Sequence, residues 1–165
     1  MSIWNLNVNC GITFGEDSRL TVGEKLKSYG ATTALLLYDM AMDQFGYQRE
    51  IEKVINDANI KVVCYQVEEG EPTAQKSDRA YDFAKDKSVD AIVAIGGGST
   101  MDTGKMVGKL LANGGKTRDY QNNPCIGNTV FRPLIALPST AGTGAELTPY
   151  LTCATEDGKK GGVAN

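Results

Sequence analysis

The chain has no histidine. That absence excludes, for this chain alone, an imidazole general base, a Ser-His-Asp triad and a histidine-ligated zinc. Four cysteines, Cys10, Cys64, Cys125 and Cys153, stand far apart with no C-x-x-C pair, so zinc-ribbon and thioredoxin-like readings fail on spacing. They read as small reduced apolar residues rather than bridges, as in an intracellular protein. No apolar run approaches the ~20 residues of a membrane span. The opening M-S-I-W-N-L-N-V-N-C lacks the cationic and apolar regions of a secretory leader. A basic excess is missing too: 17 Lys+Arg against 20 Asp+Glu leave a net charge of −3, with no footprint for nucleic acid or an anionic membrane. A soluble, cytoplasmic protein is the expectation.

What is present suits one domain. The 165 residues, 41% apolar and 22% charged, are enough for a core that needs no disulfide or metal. Short apolar runs alternate with amphipathic segments. Thr33 to Tyr38, Val62 to Val67, Val89 to Ile95 and Leu134 to Leu137 read as strands buried on both faces. Between them, Tyr47, Ile51, Val54, Ile55 and Ala58 share one helical face, and Thr73 to Lys87 forms another helix after Pro72. A short helix over 22–29 is expected to end at Gly30. Strand–helix alternation predicts an α/β domain, a Rossmann-like parallel sheet with helices on both faces. The segments W-N-L-N-V and G-I-T-F-G read as two short edge strands, and this exposed edge at 3–14 makes a homodimer plausible. Residues 113–132, rich in Gly, Asn and Pro, read as a surface loop. The final E-D-G-K-K-G-G-V-A-N reads as a turn leading elsewhere.

The strongest chemical signal is an apolar strand running into Gly96-Gly97-Gly98-Ser99, followed by a helix to about Ala112. Successive glycines remove every Cβ from the turn, so an anion can approach the backbone. Free amides at the helix N-terminus then face it, and a diphosphate is the natural guest. On electrostatic grounds Asp102 reads as a capping-box partner of Ser99, since a carboxylate aimed at phosphate would repel it. Gly104 and Gly108 read as close-packing positions on the sheet. The pattern is not G-x-G-x-x-G, whose acidic residue follows the glycines by about 20 positions. Here the candidate acid, Asp39, comes first, at the end of a strand. Its carboxylate could accept hydrogen bonds from a ribose and repel a 2′-phosphate, favouring NAD over NADP; it reads equally as a turn residue. A second glycine loop, P-S-T-A-G-T-G-A-E, sets Ser139, Thr140 and Thr143 among glycines and is expected to form the other wall of one cleft.

With these motifs in order, the sequence resembles the iron-containing (group III) alcohol dehydrogenases. The resemblance runs over nearly the whole chain: Asp39 after a strand, E-P-T at 71–73, G-G-G-S-x-x-D from Gly96 to Asp102, the second loop, and K-K-G at 159–161. It implies a nicotinamide-dependent interconversion of alcohols and aldehydes. Gly97, Gly98 and Ser99 would hold the diphosphate, Gly96 and Asp102 at the two ends of that run would belong to the same cofactor site, and Asp39 would face the adenosine ribose. Ser139, Thr140 and Thr143 would line the nicotinamide side, and Lys160 would reach the nearby ribose. Glu71 stands where asparagine is frequent and Ala145 where serine is frequent, which bears on the adenine contacts and loop geometry. The family's Fe²⁺ or Zn²⁺ is held by an Asp and His residues of a second, helical domain. Residues 1–165 are therefore expected to be the NAD-binding domain of a longer enzyme, not competent alone. A non-catalytic nucleotide- or phosphate-binding module is the alternative.

Overall fold

A computed structural model describes residues 10–121, 132–155 and 160–164. The elements in order are α1 (Val22–Ser28), β1 (Thr33–Tyr38), α2 (Met40–Gln44), α3 (Tyr47–Asp57), β2 (Lys61–Gln66), α4 (Ala74–Ala84), β3 (Ala91–Gly96), α5 (Gly98–Asn113), α6 (Thr117–Gln121), β4 (Leu134–Pro138), β5 (Tyr150–Ala154) and β6 (Lys160–Ala164). Strands β1 to β4 form one parallel sheet in the order β2-β1-β3-β4. From β1 the chain moves outward to β2, and from β3 it moves outward to β4 on the opposite side. The two connections diverge between β1 and β3, so the switch point of the sheet lies there. In open α/β sheets, ligands bind outside the carboxyl ends at that point.

Strand periodicity explains the layering, because alternate side chains leave opposite faces. Ala34, Leu36, Val93 and Ile95 pack with Leu26 of α1 and Ile51 and Ile55 of α3. Leu35, Leu37, Ile92 and Ala94 pack with Ala80 and Ala84 of α4 and Met101 and Val107 of α5. Local chemistry sets the helix ends. Thr73 caps α4, its hydroxyl accepting the Lys76 amide at 3.2 Å, and Gly30, with φ +72°, follows α1 as expected. A turn before α1 is clamped to α3 by Arg19, whose guanidinium donates to both Glu50 oxygens at 2.8 and 2.9 Å.

Four expectations need correction. The segment G-I-T-F-G forms no strand: Ile12 is 60% and Phe14 98% exposed, so neither inserts into a core that would hold an edge in register. The segment W-N-L-N-V lies outside the described residues. Residues 113–132 are not all loop, since Thr117–Gln121 is helical. Asp78 of α4 accepts from both the amide and the hydroxyl of Thr117, at 2.8 and 2.7 Å, and Tyr120 is buried. The glycine-rich tail is not merely a turn, because Lys160–Ala164 pairs antiparallel with β5. Leu151, Cys153 and Val163 of this hairpin bury against Met106, Leu110 and Tyr120 in a third core cluster. Finally, Ser99 and Asp102 form no capping box: α5 begins after Gly97 without a side-chain cap. Among the described residues, no helix is long and apolar enough to cross a membrane.

Candidate functional site

Both glycine loops leave adjacent parallel strands at their carboxyl ends. The β3–β4 register continues past Gly96 and Pro138, and the Ser139 amide donates to the Gly96 carbonyl at 2.8 Å. The loops then touch. A Cβ placed on Gly98 would meet the Thr143 hydroxyl oxygen at 2.9 Å, and one on Gly97 would meet that of Thr140 at 3.5 Å. Both loops therefore contribute lining residues, Gly98, Ser99 and Thr143, to one cleft. Asp39 stands across the switch point: its Oδ1 accepts the Met42 amide at 3.0 Å and its Oδ2 accepts the Gly97 amide at 3.0 Å.

At the start of α5, the Thr100 and Met101 amides both donate to the Gly97 carbonyl, at 3.0 and 3.2 Å. The amides of Gly98 and Ser99 precede these intrahelical donors, and both residues line an open cleft of about 560 Å³. That position combines unsatisfied helix amides with the positive end of a 16-residue helix. Gly98, Ser99, Asp102 and Thr143 line the cleft together. Ser139 and Thr140 are exposed beside it, while Asp39, Gly96 and Gly97 hold the switch point. Lys160 opens β6 opposite Ala154, and the role expected of its side chain lies outside the described residues.

Asp102 has different work from the cap expected of it. Its Oδ2 accepts the Thr152 amide of β5 at 3.0 Å, and its Oδ1 faces the Lys105 ammonium at 3.4 Å. Lys105, only 4% exposed, also donates to the Tyr150 carbonyl at 2.8 Å and the Thr148 hydroxyl at 3.3 Å. Burial pulls its pKa down, and the Asp102 charge opposes that fall. One helix face thus straps the hairpin to α5, and the Asp102 charge is compensated beside the cleft. The strap brings in lining residues that sequence reasoning missed: Thr148, Tyr150, Thr152 and Ala154. Their signal was the alternation in Tyr150–Ala154, with Leu151 and Cys153 inward and Tyr150 and Thr152 outward. Glu71 and Pro72 close the cleft on the β2 side. Lys76 donates to the carbonyls of Glu69 and Glu71, and the Ala154 amide donates to the Pro72 carbonyl at 2.8 Å.

The sequence model of the iron-containing alcohol dehydrogenases matches residues 10–165. This chain belongs to that family. The NAD-dependent methanol dehydrogenase of Bacillus methanolicus is 36% identical over 139 residues, covering 84% of this chain and 36% of that protein. Two solved structures share the fold. The NADH-dependent butanol dehydrogenase A of Thermotoga maritima superposes with a TM-score of 0.88 at 23% identity, over 100% of this chain and 42% of its own. The sulfoacetaldehyde reductase of Bifidobacterium kashiwanohense, solved in complex with NAD⁺, gives 0.86 at 21% identity, over 100% and 44%. The chain spans about a third of the length of the curated relatives it matches.

Among the described residues, the iron of the family name finds no fitting donor set. The chain has no histidine, and no group of three Cys, Asp or Glu among the described residues could hold a metal. The chemistry of the α5 N-terminus suits a diphosphate, since Gly98 and Ser99 open a 16-residue helix and line the cleft.

Proposed function

We propose that this chain binds NAD across the carboxyl ends of β1, β3 and β4, as the cofactor-holding part of a metal-dependent alcohol dehydrogenase. The observation that carries the reading is the closure of the Gly96–Ser99 loop against Thr143 beyond the carboxyl ends of β3 and β4, with Gly98 and Ser99 lining the cleft. In this reading the Gly97–Ser99 turn holds the diphosphate, Gly98 and Ser99 through their amides and Gly97 by leaving the backbone open to close approach. Asp39 faces the adenosine ribose, and its negative charge disfavours the 2′-phosphate of NADP. Ser139, Thr140 and Thr143 flank the cofactor toward the nicotinamide, joined by Lys160. Asp102 acts at the cleft through the hairpin it holds. NAD, once bound, accepts hydride from an alcohol or returns it, as NADH, to an aldehyde.

Activation of the alcohol by Fe²⁺ or Zn²⁺ is assigned to residues other than those of this chain, so the chain alone is expected to bind cofactor without turning over alcohol. Titration of the chain with NADH, followed by nicotinamide fluorescence, tests the reading. Saturable binding, displaced by NAD⁺ and weaker for NADPH, is expected. An absence of binding at millimolar NADH would sink it. Affinity for a mononucleotide or sugar phosphate equal to that for NADH would favour a non-catalytic phosphate-binding module.

A further inference from the structure

We infer that Asp39 is a positioning residue for the diphosphate loop, fixing the loop's shape through the Gly97 amide independently of any contact with ribose. The inference rests on the dinucleotide reading and deepens it. Asp39 is extended, with φ −89° and ψ 169°, immediately after β1. Both of its oxygens are engaged by backbone amides: Oδ1 by Met42, opening α2, and Oδ2 by Gly97, 58 positions away. A hydrogen bond to an ionised acceptor is roughly twice as strong as a neutral one. The residue it secures also starts α5, since the Gly97 carbonyl accepts the Thr100 and Met101 amides.

Gly96 is fitted to the same carboxylate. Its φ is +148°, and a Cβ there would lie 2.3 Å from Asp39 Oδ2 and 2.7 Å from the Thr100 hydroxyl oxygen. Asp39 thus fills the space that a side chain at 96 would need, and it takes the first amide of the loop. Gly98 and Ser99 are left to supply the next two. A carboxylate has about four acceptor positions, so two remain for ribose hydroxyls and the two roles coexist. The charge itself works against a nearby phosphate. A contribution from Asp39 to diphosphate binding must therefore come through geometry, which makes its sign diagnostic.

The test uses the full chain, the variants D39S and D39N, and two probes: NADH, and inorganic pyrophosphate, which has no ribose. Serine still caps α2 but is too short to hold Gly97, whereas asparagine can turn its single acceptor oxygen to Gly97 only by setting its NH₂ against the Met42 amide, so its rescue is partial. Pyrophosphate is expected to displace NADH from the unaltered chain. D39S is expected to keep its helical circular dichroism, to shift the Gly97 amide resonance, and to weaken pyrophosphate and NADH alike, each by about tenfold. D39N should recover part of both losses. Weaker NADH binding with pyrophosphate unchanged or tightened, in either variant, overturns the inference and leaves Asp39 acting on ribose alone. NADH binding to the unaltered chain that pyrophosphate does not displace overturns it as well. If the unaltered chain binds neither probe, the dinucleotide reading itself fails.

Discussion

Gly98 lies directly against Thr143: a Cβ on the glycine would stand 2.9 Å from the threonine hydroxyl oxygen and 3.1 Å from its methyl carbon. This contact joins the two loops into one wall, and it is tighter than a side chain can share. Gly98 has no positive φ, so alanine there would meet a packing obstacle rather than backbone strain. G98A is expected to push the Thr143 loop outward and weaken NADH binding by about tenfold, with the fold intact. Because the obstacle is a side chain, T143A should relieve it, at the loss of the long 3.3 Å bond from the Ala145 amide to the Thr143 hydroxyl. NADH titrations of both single variants and the double variant complete a thermodynamic cycle, and a coupling of about 1 kcal/mol is expected between two residues in contact. Additive losses would mean that the contact does not set the cleft.

Gly104 and Gly108 lie one turn apart on α5 and should respond oppositely to alanine. A Cβ on Gly104 would meet the Ala94 Cβ at 3.1 Å and Leu134 Cδ1 at 3.2 Å. Ala94 is on the central strand β3 and its Cβ has no rotamer with which to withdraw. On Gly108 the same carbon would meet Ile92 Cδ1 at 3.1 Å, the far end of a flexible side chain. Alanine gains about 1 kcal/mol over glycine in a helix interior. Overpacking typically costs about 1–3 kcal/mol. Urea denaturation should therefore show G104A destabilised and G108A neutral or slightly stabilised.

Much of the sheet is legible because burial on both faces leaves a continuous apolar run, as in T-A-L-L-L-Y, which matches β1 residue for residue. Glycine placement is legible for a related reason, since Gly98 and Gly104 are needed where another atom already sits. The hairpin is harder to read. Its strands are short, half-polar and flanked by glycine and charge, and their pairing depends on a core built by Met106, Leu110 and Tyr120 elsewhere in the chain. Helix α6 begins where Asp78 caps Thr117 from 39 positions away, so local composition alone reads as loop. Asp102 shows the same limit. Its spacing from Ser99 matches a capping box, but β5 arrives alongside and supplies Thr152 as a partner.

That partnership should be separable from the sheet. K105M keeps the volume of the side chain but removes the ammonium that holds Tyr150 and Thr148 to α5. D102A leaves the Lys105 charge buried without its carboxylate, a loss of about 3 kcal/mol for a broken buried pair. In both variants, amide hydrogen exchange should accelerate over Tyr150–Ala154 while Leu35–Tyr38 of β1 stays protected, as for a local opening. Equal acceleration in both regions would mean that the strap holds the whole domain rather than the hairpin.

The cysteines give a prediction with a definite sign in pH. Burial first, and the Glu52 charge second, raise the Cys64 thiol from 9.0 to about 11. Burial raises Cys153 likewise to about 11. Between pH 9 and 11 the unfolded chain releases these protons while the folded chain keeps them, so stability falls as pH rises through that window. Lys105 acts oppositely. Its folded pKa is lowered, so the cost of burying its charge fades as pH approaches 10.5. The thiol contribution should appear in urea denaturation as a stability loss between pH 9 and 11 that is smaller when the two cysteines are replaced. The double variant C64A/C153A should flatten the fall, and an unchanged slope would mean that the thiols do not carry it. Thiol labelling at pH 8, mapped by peptide mass, supplies an independent check. Cys10 is exposed and should react first of the three described cysteines, whereas Cys64 and Cys153 should be slow until the chain is unfolded.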